Sequence, residues 1–276
     1  MSFVRRVAVI LGYEWRRALA KKWVLALIVL AIAFQTLILV ALAQFIATAI
    51  EVEFDTIWVV GVLQGQGLFV PLIAIIIAGG SMSEEYERGT ADILLSKPIT
   101  KVEYITGKFL GGFSVLCLVE GITTATGVVL SLGLFGPQSE LQIAPVLFLA
   151  IAYSSLVFFS LSFMFSEVFR RGTLAMFAAF GIFIASSVVS QILSLLYLST
   201  GEPLYDYISK GLPTWSTTNF AQFIVSQLIG TLQSPLQLIS SGDFQLAAAI
   251  IAVYAGASIV IATVRLVKSD VSKKAD

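Results

Sequence analysis

The sequence contains no histidine and only one cysteine, Cys117. The lack of histidine excludes histidine-based acid–base catalysis and most zinc or haem sites. A single thiol forms neither an intramolecular disulfide nor a cysteine metal cluster. The chain also lacks both common glycine-rich phosphate-binding motifs, G-x-x-x-x-G-K-[ST] and a strand-linked G-x-G-x-x-G. We therefore expect no catalytic residues and no directly bound metal or cofactor, and expect any ATP to be bound by another chain.

Charge is scarce as well. Charged residues make up 12% of the 276 residues and apolar residues 58%, whereas soluble domains carry about 25% charged residues. The 17 basic and 17 acidic residues cancel, so the chain has no bulk attraction to nucleic-acid phosphates. This composition predicts an integral membrane protein and argues against a soluble enzyme, a disordered chain and a nucleic-acid binder.

Six apolar stretches are long enough to cross a bilayer as helices, which takes about 20 residues each. They are continuously apolar rather than alternating, which favours helices over a barrel. The sequence therefore predicts an all-α membrane protein with six transmembrane helices in a single domain over residues 1–276. We place the spans at about 24–46, 60–80, 109–134, 144–165, 173–198 and 245–264.

Basic residues set the orientation of these spans. Among the 17 basic residues, Lys210 alone falls on the side opposite to the others. That opposite side carries mostly acidic loop residues instead, namely Glu51, Glu53, Asp55, Glu140, Glu202, Asp206 and Asp243. Both termini are therefore predicted to be cytoplasmic, which agrees with an even number of spans.

Residues 1–22 precede the first span. Apolar residues between Val4 and Leu19 recur at helical spacing, while Arg5, Arg16 and their neighbours Arg6 and Arg17 occupy the rest of the helix surface. This pattern predicts an amphipathic helix that lies along the inner headgroups. The alternative is a solvated basic lead that only enforces the topology.

The external segment 199–244 has turn signals at Gly201–Pro203 and Gly211–Pro213. Residues 220–239 are apolar but are interrupted by glutamines and Pro235. A seventh span here would place the basic tail outside. We therefore predict a re-entrant or interfacial helical segment between spans five and six.

Glu120 lies about midway along the third span and is the one charged residue inside the spans. Ionisable residues in spans are functional candidates because their burial is costly. Glu120 is therefore a candidate for the substrate path. The alternative is a protonated acid that bonds to nearby threonines or to a neighbouring helix.

Two glycine pairs, Gly61 with Gly65 and Gly107 with Gly111, have the spacing that lets helices approach closely. They indicate either a seam between two copies of the chain or packing within one subunit.

The cytoplasmic loop 81–108 is predicted to form a short helix, a stop and the start of a new helix. Ser81 or Ser83 is placed to cap the short helix, and Gly89 to interrupt it. Thr100 and Glu103 form a capping box for the third span. At the end of the loop, Lys108 is expected to snorkel to the membrane interface.

Ile93, Leu94 and Leu95 form an apolar patch in this charged loop, and Pro98 ends the element. Such a patch marks either a docking surface or a contact with the inner leaflet or the bundle. The residues alone leave both interpretations open.

The ordered set Glu87–Thr90, Leu94–Pro98, Thr100–Lys101 and Gly107–Lys108 resembles the signature of ABC-2 type permeases, the membrane subunits of ATP-binding-cassette transporters. The resemblance extends over nearly the whole chain, since it includes the six spans, the N-terminal helix and the external segment. It implies an exporter subunit that carries no ATPase site itself. Asp92 stands where many relatives carry glutamate.

In that family the loop carries a coupling helix that sits in a cleft of a separate ATPase subunit. By motif match, the residues that form or shape this contact would be Glu84, Glu85, Glu87, Arg88, Gly89, Thr90, Leu94, Leu95 and Pro98. The resemblance further implies ATP and Mg²⁺ on two ATPase copies, and a second permease copy in a homodimer or heterodimer. It also implies a multi-pass protein of a prokaryotic plasma membrane.

The alternative function is a stand-alone channel or secondary transporter, which discontinuous helices and several charged residues at the midplane would support. An intramembrane enzyme would need a nucleophile–base pair or paired acids at membrane depth. The substrate cannot be read from the sequence.

Overall fold

The computed structural model describes residues 3–45, 56–90, 99–228 and 244–268. A 3₁₀ turn, Leu141–Ile143, connects two of the helices, and the described ranges contain no strand. The predicted all-α fold is therefore confirmed. The helices are α1 (Phe3–Leu19), α2 (Lys22–Phe45), α3 (Ile57–Gly79), α4 (Ser83–Glu87), α5 (Lys101–Phe135), α6 (Ala144–Phe169), α7 (Gly172–Thr200), α8 (Pro203–Gly211), α9 (Pro213–Leu228) and α10 (Phe244–Lys268).

Six helices, α2, α3, α5, α6, α7 and α10, are long and apolar enough to cross a membrane. Each coincides with one of the six predicted stretches. The largest difference is at α5, which begins at Lys101 rather than near residue 109. The reason is the predicted capping box: the Glu103 amide donates to Thr100 Oγ1 (3.2 Å), and the Thr100 amide donates to the Glu103 carboxylate (2.8 Å).

The spans form a bundle with α3 and α6, the two most buried spans, at its centre. The surrounding helices α2, α7 and α10 expose large apolar side chains such as Val29, Leu198 and Val253, which suits contact with lipid. We call the end of the bundle that carries α1, α4 and the α6–α7 turn the basic end. There the Arg265 guanidinium donates to the Val168 carbonyl (2.9 Å) and fastens α10 to α6.

Helix α1 packs against the first half of α5, and glycines make this contact close. A Cβ atom on Gly107 would lie 2.8 Å from the Ile10 Cβ, and one on Gly111 would lie 2.7 Å from the Glu14 Cβ. The second glycine pair therefore serves packing within one subunit, one of the two interpretations left open above. Because α1 is held against a span, part of its surface is buried in protein, including Val7, Glu14 and Ala18.

Helices α8 and α9 form a hairpin that enters the bundle from the end opposite the basic end. At the turn between them, the Ser209 hydroxyl lies 3.1 Å from the Ser190 hydroxyl, and the Tyr254 hydroxyl donates to the Gly211 carbonyl (2.8 Å). Ser190 and Tyr254 each lie about ten residues inside their helices, so the turn is about 15 Å below the helix ends. The described part of segment 199–244 thus turns back into the helical bundle, while its re-entry into the membrane stays a prediction, and residues 229–243 lie outside the described residues.

Two backbone amides of the hairpin turn are satisfied within the turn itself, as irregular backbone buried away from water requires. The Leu212 amide donates to the Ser209 carbonyl (3.1 Å), and the Trp215 amide donates to the Leu212 carbonyl (3.2 Å). Beyond the turn, Phe220 packs against Tyr153 of α6, with 5.2 Å between ring centroids. The turn is therefore held by α6, α7 and α10.

Replacing Gly111 by alanine tests the close approach of α1 to α5. The added methyl has no room beside Glu14, so we expect Gly111→Ala to lower the free energy of unfolding by about 1–3 kcal/mol, as overpacking does. Gly133→Ala is the matched control in the same helix, because nothing lies within 4 Å of its Cβ. That change should leave stability equal or raise it by up to about 1 kcal/mol. Denaturation in mixed micelles measures both, and equal stabilities would contradict the contact.

Candidate functional site

The candidate site is built around α4, which follows α3 at the basic end. The amides of Met82 and Ser83 both donate to the Ser166 hydroxyl of α6, at 3.0 and 2.9 Å. The predicted cap by Ser81 or Ser83 is wrong, because Met82 holds the N-cap position without a side-chain bond. Ser83 instead donates back to the Gly79 carbonyl (2.7 Å). The first backbone amides of α4 thus find their hydrogen-bond acceptor on a neighbouring helix, α6.

A cluster of charged side chains lies buried beneath α4. The Lys108 ammonium of α5 pairs with the Glu14 carboxylate of α1 (2.7 Å) and with the Glu85 carboxylate of α4. It also donates to the Ser81 carbonyl (2.8 Å), and the Tyr104 hydroxyl donates to Glu85. Lys108 and Glu14 are fully buried. The prediction that Lys108 snorkels to the interface is therefore wrong, because two carboxylates bind it inside the protein.

Arg17 balances the charge of this cluster. Its guanidinium pairs with Glu14 (2.6 Å) and donates to the Gly80 and Ser81 carbonyls at 2.6 and 2.9 Å. Two cations and two carboxylates are thereby brought together. We call Glu14, Arg17, Glu85, Tyr104 and Lys108 the buried ion cluster. The prediction that Arg17 lies on the exposed basic face of α1 is wrong, because the carbonyls after α3 need its donors.

Three further ion pairs tie α1 and the start of α2 to neighbouring segments. Glu84 of α4 pairs with Lys21 and with Arg17 (3.7 Å), and Arg6 of α1 pairs with Glu103 of α5 (2.7 Å). Burial lowers the pKa of the Lys21 ammonium, Arg17 adds to the shift, and the Glu84 carboxylate opposes it. Basic residues near the N-terminus are therefore held in place by the carboxylates of Glu84 and Glu103.

On its other side α4 contacts α6 and α7. The Tyr86 hydroxyl donates to the Glu167 carboxylate (2.8 Å), and the Arg170 guanidinium lies 4.6 Å from the centre of the Tyr86 ring. Glu87 accepts a hydrogen bond from the Gly172 amide (2.8 Å) at the start of α7. A carboxylate is stabilised at this position by the free amides and the dipole of the helix. Helix α4 thus contacts α1, α5, α6 and α7.

The end of α4 is the exposed part of the site. Arg88 has 69% of its side chain exposed and is 4.0 Å from Glu84, its one partner within the described residues. Gly89 adopts a φ of 65°, a left-handed conformation that favours glycine, so the predicted interruption of the helix there is confirmed. The Thr90 amide then closes the turn on the Glu85 carbonyl (2.9 Å). We call Glu87, Arg88 and Gly89 the exposed tip.

The sequence-predicted contact residues therefore separate into groups. Glu85 is buried and can only shape the loop, Glu84 is partly buried in its ion pairs, and Thr90 is partly buried in the turn. Glu87, Arg88 and Gly89 are exposed. The remaining three, Leu94, Leu95 and Pro98, lie outside the described residues.

The sequence patterns described above indicated neither the role of Glu14 nor the inward position of Lys108. A local signal existed for Glu14, because it stands three residues before Arg17, the spacing of an ion pair on one helix face. Lys108 shares a helix face with Tyr104 and Gly111. What local spacing does not contain is the pairing of Lys108 with Glu14, which are 94 residues apart.

Glu120 is fully buried in α5. Neither of its carboxylate oxygens makes a hydrogen bond within the described part of the chain. Its place in a substrate path stays a prediction. No group of three or more potential metal-ligating acids or cysteines comes together among the described residues.

The chain matches a known protein family over most of its length. The family model described as "ABC-2 family transporter protein" matches residues 8–271, nearly the whole chain. No curated protein sequence matches the chain.

Replacing Lys108 by methionine tests the buried ion cluster. The change keeps roughly the length of the side chain but leaves the buried Glu85 carboxylate without a paired cation among the described residues, so we expect a loss of about 3–5 kcal/mol of unfolding free energy. Adding Glu85→Gln should restore part of this loss, because one uncompensated charge is removed. The measurement is denaturation in mixed micelles.

Lys210→Met is the control for that experiment. Lys210 pairs with Asp206 (2.5 Å) on α8, where both side chains are about one-third exposed, so its loss should cost less than about 1 kcal/mol. Equal losses from the two lysine variants would show that the cluster does not stabilise the basic end.

Proposed function

Because this chain belongs to the ABC-2 family of transporter proteins and is a membrane subunit of an ABC transporter, we propose that a separate ATPase subunit drives it by docking on the loop between α3 and α5. An ABC-2 permease is a membrane component without an ATPase site of its own and works with an ABC ATPase subunit. We place ATP and Mg²⁺ on that partner.

The observation that carries this proposal is the unequal environment of α4. Its exposed tip projects at the basic end, while its other side chains are fixed to neighbouring helices. A docking surface needs exposed groups on a rigid support. The tip also leads into residues 91–98, whose sequence contains the apolar patch at Leu94 and Leu95.

The contacts of α4 suggest how movement of the loop would reach the spans. The buried ion cluster joins α4 to α1 and α5, Ser166 joins it to α6, and Glu87 joins it to the start of α7. A displacement of the tip would therefore move the ends of these helices together. Such rigid-body movement is a common way to open a bundle to one side or the other.

We further propose that the transporter is an exporter with two permease copies, most simply a homodimer, and two ATPase copies. Both termini and the exposed tip face the cytoplasm in this proposal. The positions of the basic residues support that orientation. The membrane is proposed to be a prokaryotic plasma membrane. In this arrangement chemistry occurs on the ATPase, and the permease supplies the path.

Charge reversal at the exposed tip tests the docking site. Arg88→Glu should weaken recovery of a stoichiometric ATPase with the purified permease at least about tenfold, because opposed like charges across an interface cost several kcal/mol. The fold should persist, since the side chain is mostly exposed. Affinity purification from native membranes with quantitative mass spectrometry measures the recovery.

Glu202→Lys is the matched control, because it changes the charge equally at an exposed position at the opposite end of the bundle. A second variant, Leu94→Ala with Leu95→Ala, truncates the apolar patch. Wild-type ATPase recovery and wild-type ATPase stimulation in both the Arg88 and the leucine variants would overturn the proposed docking site.

A further inference from the structure

Two adjoining cavities lie around the hairpin, in the half of the bundle away from the basic end. The smaller, of about 150 Å³, lies between α3, α6, α7 and α9, and the larger, of about 450 Å³, lies between α7 and α9. Thr214 and Thr218 line both. The two cavities therefore adjoin beside the hairpin, and we call them together the hairpin groove. Glu120 is not among its lining residues.

The lining of the hairpin groove is polar but uncharged. It contains no acidic or basic side chain among the described residues. Its hydrogen-bonding residues are serines, threonines, an asparagine and glutamines, among them Gln64, Gln191, Thr214 and Gln222. Phe158, Phe183 and Trp215 supply apolar walls. Such a surface binds hydroxyl or amide groups and offers no counter-ion to a charged group.

Several of these polar groups have no partner in the described part of the chain. The Thr214 hydroxyl is buried without a hydrogen bond. The side-chain amides of Gln64, Gln191 and Gln222 likewise make no hydrogen bond to the described residues. Pro71 has no amide hydrogen, so the Gly67 carbonyl in the groove lacks the donor of a regular helix. The groove thus presents unused donors and acceptors.

At the depth of the groove, polar groups without a hydrogen bond carry a free-energy penalty. Gln191 lies about nine residues inside α7, which is about 14 Å from the end of the helix. At such depth lipid cannot satisfy a polar group, so each needs water or a hydrogen-bonding ligand. The face of α7 next to the groove is exposed and apolar, with Leu195 65% and Leu198 78% exposed.

We propose that the hairpin groove binds the uncharged, hydrogen-bonding head group of an amphiphilic substrate, whose apolar tail lies along the exposed face of α7. This inference rests on the proposed transport function and adds its substrate class. The head group exchanges hydrogen bonds with Thr214 and the glutamine amides, while the tail stays in contact with lipid. Charged head groups are disfavoured because the groove offers them no counter-ion.

Binding to the purified full chain in phosphatidylcholine nanodiscs tests this proposal. The probes are two lipids with the same dansyl-labelled tail, one with a glucosyl head and one with an anionic phosphoglycerol head. Energy transfer from tryptophan reports binding, since Trp215 lines the groove. We expect the glucosyl probe to bind at least about fivefold more tightly, the ratio that one or two neutral hydrogen bonds supply.

Thr214→Val combined with Gln191→Leu should weaken binding of the glucosyl probe about tenfold, since two hydrogen-bonding groups are lost. The single change Gln191→Leu, at an exposed position, should give part of that loss and guards against misfolding of the double variant. Thr126→Val is the control, because that exposed hydroxyl donates to the Ile122 carbonyl of its own helix (2.8 Å) and lies outside the groove.

Equal binding of the two probes, or unchanged affinity in the groove variants, would overturn the proposal. An equal loss in the Thr126 control would do the same. Because the measurement needs no ATPase, these outcomes leave the proposed docking function standing. Conversely, loss of ATPase recovery through the exposed tip would not alter the binding result.

Discussion

The basic end of this protein depends on the burial of one ammonium group between two carboxylates. Lys108 pairs with Glu14 from α1 and with Glu85 from α4, and Arg17 completes the charge balance. Ions taken out of water are stable only when opposite charges and hydrogen bonds surround them. The cluster therefore requires α1, α4 and α5 to meet in one arrangement. The close approach of α1 at Gly111, where a side chain would collide, is part of the same requirement.

The opposite half of the bundle has the reverse character. Its hairpin groove has hydroxyl and amide groups without ions, and several are unpaired within the described residues. The basic end thus pairs buried charges with one another and can act as a rigid support, whereas the groove leaves uncharged polar groups such as the Thr214 hydroxyl open to a ligand. In a transporter these are complementary roles. In the proposed mechanism the rigid end would transmit the movement of a docked ATPase, and the hairpin groove would bind the substrate.

Much of the fold could be predicted because membrane spans are encoded by long local runs of apolar residues. The start of α5 was also readable, since a capping box needs only Thr100 and Glu103. The arrangement of the candidate site was harder to predict from the sequence than the fold. Gly89 was recognisable from its residue type, and Arg88 was correctly placed in the loop. The burial of Glu85 and Lys108 depends on contacts with α1, which no pattern within residues 81–108 contains.

The sequence by itself determined the class of protein, the number of its spans and the family to which it belongs, because these follow from composition, run length and ordered local motifs. Only the tertiary structure decided which charges are buried, where the turn of the hairpin lies and which side of α4 is exposed. The physical reason is the distance along the chain over which each interaction acts. Hydropathy acts along the chain, whereas an ion pair between Glu14 and Lys108, or a hydrogen bond from Tyr254 to Gly211, exists only when distant helices are packed together.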